Sequence, residues 1–163
     1  MKRGLGFKMS KEQSEKKIST LGGDLEDFAR GPDGKIYPTI ENFYAYCSQR
    51  KLMGVVCNKC GNIMVPPRLS CYKCNSPDLD WVGLKGRGNL LTYSIVHVAP
   101  PQFQTMVPYV VGIVKLEEGA SLPGIIKPKK MEDIKIGMEL VVDFETLPEK
   151  NWLGRTRYYF KQP

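Results

Sequence analysis

The chain has 163 residues, enough for one medium domain or two small ones, and 42% apolar content with 10% aromatics suffices for a packed core. No run approaches the ~18 uncharged apolar residues of a membrane span, so no membrane role is expected. The opening MKRGLGFKMSKEQSEKK has charge but no apolar signal region, so the expected compartment is the cytoplasm.

The net charge of +7 raises the question of nucleic acid. Its distribution argues for a mixed solvated surface. Residues 1–40 carry 8 basic and 6 acidic groups, residues 41–85 carry 6 and 3, and residues 86–163 carry 10 and 8. The densest cluster is Lys127, Lys129 and Lys130. A mild even excess also suits a phosphorylated cofactor.

In chain order, residues 1–20 lack an apolar period and read as a disordered or loosely attached arm. GPDGKIYPT (31–39) is a turn-rich break, and Thr39 can cap the helix that follows. Ile40, Phe43, Tyr44 and Cys47 recur at helical spacing, with Gly54 as a stop. Tyr46 lies off that stripe, so the helix carries more apolar surface than one face needs. Ile40, Phe43, Tyr44 and Tyr46 are therefore candidate partner-docking residues.

VVCNKCGNIMVPPRLSCYKCNS follows, with two Cys-x-x-Cys pairs ten residues apart: Cys57 and Cys60, then Cys71 and Cys74. Two intervening residues let both sulfurs of a pair face one ion, and four thiolates favour zinc, or a single iron. Gly61 and Asn75 tolerate the positive φ that a tight knuckle demands. A redox Cys-x-x-Cys usually stands alone in a βαβ context, which is absent. Four cysteines close the coordination shell, so the metal is expected to be structural, replacing a core that about 30 residues cannot build. Cys47 reads as a buried apolar residue.

From Leu90 onward the pattern is strands: 90–98, 109–117, a short one near 124–127, 137–147 and 156–162. Gly112 is expected at a bulge or a close approach. Five strands without a crossover helix predict a mostly antiparallel sheet closed into an OB-fold barrel, with an SH3-like barrel as the other possibility. The expectation is a mainly β chain: an arm over 1–38, a docking helix over 39–54, a zinc ribbon over 55–84 and a five-stranded OB-fold over 85–163.

No nucleophile elbow or phosphate loop is present, and His97 is the single histidine. Independent catalysis is not expected. OB barrels bind extended ligands on one sheet face, so Tyr93, Tyr109, Arg87, His97 and Phe103 are candidate ligand residues, with Arg68 and Lys127 as cations. Of Tyr158, Tyr159 and Phe160, at least one must point out of the core.

VCNKCGNIMVPPRLSCYKCNS, WVGLKGRG, LLTYSIVH, VPYVVGIVKLEEG and MEDIKIGMELVVDFE together resemble a family in which a rubredoxin-like zinc ribbon precedes an OB-fold. That family is classed as domain of unknown function 35 and described as acyl-CoA-associated. The resemblance covers about residues 40–147, and Asn75 stands where many relatives have Gly. It implies an accessory subunit beside a thiolase or related acyl-CoA enzyme, bridging enzymes or helping to hold acyl-CoA. Single-stranded nucleic acid is the alternative partner that zinc ribbons and OB-folds also serve.

Overall fold

The computed structural model describes Arg30, residues 34–146 and residues 156–163. The arm expected over 1–20 lies outside them, as do residues 147–155, which join the last two strands.

Helix α1 spans Ile40–Ser48, and the Thr39 hydroxyl accepts from the Asn42 N–H at 3.3 Å. The helix ends a turn and a half earlier than Gly54 suggested. Gln49 is its C-cap, Arg50 takes φ 57, and the chain turns at once into a strand. Gly54 sits inside that strand, where an added Cβ would lie 3.0 Å from Met64 O. It serves a close packing rather than a helix stop.

The helix is wedged between two sheets. Phe43 meets the Tyr158 ring edge-on at 5.7 Å, and Tyr46 meets Trp81 edge-on at 5.0 Å. Phe43 is 0% and Tyr46 2% exposed, which removes both from the docking surface expected of them. The surplus apolar side of the helix is covered from within the chain, by Trp81. Cys47 is fully buried in the same core, where burial pushes its thiol up to about 12.

The first sheet has three antiparallel strands, β1 (Met53–Cys57), β2 (Ile63–Met64) and β3 (Leu79–Gly83), in the order β2-β1-β3. The second is a closed barrel of β4 (Arg87–Val96), β5 (Tyr109–Leu116), β6 (Ser121–Lys127), β7 (Glu139–Thr146) and β8 (Thr156–Lys161), in the order β4-β5-β6-β8-β7. Closure comes from β4, whose base pairs with β7 while its length pairs with β5. All pairs are antiparallel except β6 and β8, which meet in parallel at Ile126↔Phe160 and Lys127↔Lys161. The rest of the β6 edge is guarded by Pro123, which has no N–H, and whose carbonyl accepts from the Tyr158 hydroxyl at 2.7 Å.

The barrel core holds Leu90, Val110, Val114, Leu116, Leu122, Ile126, Leu140, Phe144 and Phe160, the inward positions of alternating strands. Gly112 is the close-approach site: a Cβ there would fall 2.6 Å from Ile126 Cδ1 and 2.8 Å from Thr92 O. The bulge lies across from it, on β4 between Leu90 and Thr92.

Candidate functional site

The metal centre is built by two knuckles. The Gly61 N–H donates to Cys57 O at 2.7 Å, and the Asn75 N–H donates to Cys71 O at 2.8 Å. These tight turns put Gly61 at φ 70 and Asn75 at φ 54, the left-handed region that Gly and Asn enter with little strain. The folding of β1 back through β2, and of β3 onto β1, brings the knuckles face to face.

The four sulfurs lie within 4.8 Å of one another. Cys57 and Cys74 are 3.5 Å apart, and Cys60 is 3.6 Å from both Cys71 and Cys74. A tetrahedron with metal–sulfur bonds of about 2.3 Å has edges of about 3.8 Å. The thiols therefore already stand at nearly the spacing of a Zn(Cys)4 centre, and Cys57, Cys60, Cys71 and Cys74 fit one structural zinc. Backbone N–H groups stabilise the thiolate form: that of Asn62 points at Cys60, and those of Lys73 and Cys74 at Cys71. Cys57 and Cys71 are buried, while Cys60 is exposed and Cys74 half-buried, so one side of the centre faces solvent.

The candidate ligand residues do not converge. Arg87, at the base of β4, faces Glu139 at 3.9 Å. Lys127, at the far end of β6, pairs with Glu145 and lies 4.2 Å over the Tyr159 ring. Arg68 is exposed on the ribbon, and His97 is exposed just past β4. Phe103 lies against Tyr109 at 6.1 Å. Tyr93 is turned toward the core, and its hydroxyl donates to Ile134 O at 3.5 Å. The bulge at Leu91 explains this. Unbroken alternation from Leu90 would send Tyr93 outward, and one extra residue reverses the faces.

Thr92 and Ser94, which the bulge turns outward, border a shallow concavity of about 480 Å³ across β4, β5 and β6. Thr92, Tyr93, Ser94, Val111, Ile113, Pro123 and Ile125 line it, so Tyr93 alone of the candidate ligand residues borders it, and Ile113 is 39% exposed. Leu91 and Ile95 are also exposed on β4. This aliphatic face escaped the sequence reading because it needs both the bulge and the pairing of three strands.

A polar belt crosses β7 and β8. Asp143 accepts from Lys161 at 2.7 Å, from Arg50 at 2.7 Å and from the Tyr159 hydroxyl at 3.1 Å. The Lys161 hydrogen bond, followed by the Phe144 N–H, holds the Asp143 carboxyl down at about 2. Glu145 receives Lys127 and Arg157 and is likewise lowered, against the opposing effect of its burial. In the last strand Phe160 is core, Tyr158 is half-buried with its hydroxyl on Pro123, and Tyr159 lies under Lys127 on the outer face.

A four-thiolate ribbon leading into a five-stranded OB barrel defines a class, that of zinc-ribbon/OB-fold proteins. Residues 45–80 match the family model described as the ChsH2 rubredoxin-like zinc ribbon domain, and residues 81–145 match the ChsH2 C-terminal OB-fold domain. The chain belongs to the DUF35 family. It is 40% identical over 117 residues to a DUF35 domain-containing scaffold protein of Methanocaldococcus jannaschii, covering 71% of this chain and 80% of that one. It is 35% identical over 109 residues to a probable enoyl-CoA hydratase alpha subunit of Thermomonospora curvata, covering 66% of this chain and 34% of that one. Among solved structures it is similar to a chain of the Ltp2-ChsH2(DUF35) aldolase, with TM-score 0.63 and 31% identity over 74% of this chain and 91% of that one. Among the described residues, no helix is long and apolar enough to cross a membrane.

Proposed function

We propose that this chain is a non-catalytic scaffold that seats a thiolase-superfamily or related acyl-CoA enzyme, bridging it to a second enzyme or helping to hold acyl-CoA. The observation that carries this reading is the chemistry of the outer β4–β5–β6 face. OB barrels take their extended ligands there, and binding single strands requires aromatic platforms over a basic groove. In this chain the lining of that face is uncharged and mainly aliphatic, with Val111, Ile113, Pro123 and Ile125 across it, and its one aromatic, Tyr93, packs against the core with its hydroxyl on Ile134 O. Such a surface suits the apolar patch of a protein or an acyl chain.

Three further observations support it. The four cysteines close the metal's shell and leave no open coordination position. The exposed His97 and the ion-paired Asp143 and Glu145 do not form a nucleophile–base pair. The relatives include a named scaffold, a hydratase subunit and an aldolase component. A reduced four-thiol centre also suits the cytoplasm.

The test is a native pull-down with the zinc-loaded chain, with mass spectrometry of the retained proteins and reconstitution of the hit from purified components. A CoA-dependent enzyme that re-forms a complex of fixed stoichiometry is the expected result. Retention of polymerase, ribosomal or replication proteins alone would overturn the reading.

A further inference from the structure

We infer that the outer surface of the zinc knuckles is a second docking surface, separate from the barrel face, and that it takes an acidic, partly apolar patch on a protein partner. The inference deepens the scaffold reading and rests on it. Two large side chains stand out on this surface, Leu69 at 67% and Tyr72 at 59% exposure. Tyr72 is not loose. Its hydroxyl donates to Asn62 Oδ1 at 3.2 Å, and Asn62 is itself buried beside Cys71. The ring is thus presented by the metal centre, with little side-chain freedom left to lose on binding.

Along the chain, the knuckle stretch that holds these two residues carries charge of one sign. Lys59, Arg68 and Lys73 lie between Asn58 and Pro77, a stretch with no acidic residue. Asp78 and Asp80, just beyond it, both accept from Asn58 Nδ2, at 2.9 and 2.8 Å. Elsewhere Arg50, Lys85, Arg87, Lys127, Arg157 and Lys161 each face a carboxylate, whereas Lys115, Lys129, Lys130 and Lys135 of the barrel, like the knuckle cations, are in none of these ion pairs. Among the described residues, no ion pair includes Lys59, Arg68 or Lys73.

A zinc ion with four thiolates is formally dianionic. That charge sits at the sulfurs and is met by the N–H groups of Asn62, Lys73 and Cys74, while the three long cationic side chains reach past it into solvent. An incoming surface therefore meets cations around an aliphatic and an aromatic contact. Complementarity of this kind calls for carboxylates around an apolar centre. The more exposed of the two apolar side chains is aliphatic, which cannot stack on a base, so the observations favour a protein over nucleic acid.

The experiment measures binding of the full zinc-loaded chain to a purified thiolase or enoyl-CoA hydratase from the same organism, at low and high salt. It compares the unaltered chain with L69D and with K59E/R68E/K73E, each checked for one zinc per chain by elemental analysis. Both variants should keep zinc and bind at least tenfold more weakly, and the triple variant should lose the salt dependence. Unaltered binding by both zinc-loaded variants overturns the inference and leaves the scaffold reading intact. Failure of the unaltered chain to bind any such enzyme overturns both. Salt-sensitive binding of single-stranded DNA that the triple variant abolishes also overturns it, by giving the surface to nucleic acid.

Discussion

In the ribbon's own cluster the buried side chains are Val55, Cys57, Met64 and Cys71, two of which are metal ligands. In the barrel, Leu90, Val110, Val114, Leu116, Leu122, Ile126, Leu140, Phe144 and Phe160 interlock within a ring of paired strands. One region is organised around an ion and the other around apolar contact. The difference teaches where each is vulnerable. A centre with four ligands loses most of its organisation when one is lost, whereas a closed barrel absorbs local damage in proportion to the volume removed.

The largest effect that could break this contrast is metal removal. Chelation, or Cys71→Ser, should release the zinc and unfold residues 55–80 at a cost on the order of 10 kcal/mol of ribbon stability. Hydrogen exchange should show the barrel amides still protected, and loss of protection in both regions together would merge them into one cooperative unit. Next in size is Phe160→Ala, which should cost the barrel about 3–5 kcal/mol while leaving zinc stoichiometry at one. Elemental analysis beside calorimetry checks both halves of that statement.

Gly112→Ala is the milder probe, because the methyl group would press on Ile126 and on the Thr92 carbonyl. About 1–3 kcal/mol of destabilisation is expected, confined to the barrel and read as a lower melting temperature with unchanged zinc affinity. The smallest expected effect is that of Asp143. Its folded carboxyl titrates at about 2, below its value in the unfolded chain, so its stabilising contribution is present above the ordinary carboxylate range and is lost as pH falls toward 2. Its partners Arg50 and Lys161 are well exposed, so the contribution is under about 1 kcal/mol. Asp143→Asn should flatten that acid limb, and an unchanged limb would mean that the belt is only decorative.

The metal centre was legible because its information is local: two Cys-x-x-Cys pairs with Gly61 and Asn75 in the positions that must turn. The strands were legible for the same reason, since alternation such as Leu140 and Phe144 against Glu139 and Glu145 is written within one segment. What depended on distant partners was not. Tyr46 reads as surplus surface until Trp81 covers it from 35 positions away in the chain. Tyr93 reads as outward until a single bulge reverses β4, and the aliphatic face beside it forms only when β5 and β6 pair, which no short stretch announces. The parallel meeting of β6 and β8 was likewise invisible, because two pairs of residues leave no periodic trace.

Trp81 touches every part of this arrangement. It packs at the edge of the ribbon cluster, against the barrel-side core and against Tyr46 of α1, and its indole N–H donates to Ile36 O at 3.0 Å. The chain has two tryptophans, so Trp152→Phe leaves this one as the single indole emitter. Its fluorescence then becomes a native optical gauge of the junction. Loosening of the ribbon, tilting of the helix or fraying of the segment around Ile36 would each change the solvent around one ring, with no label attached.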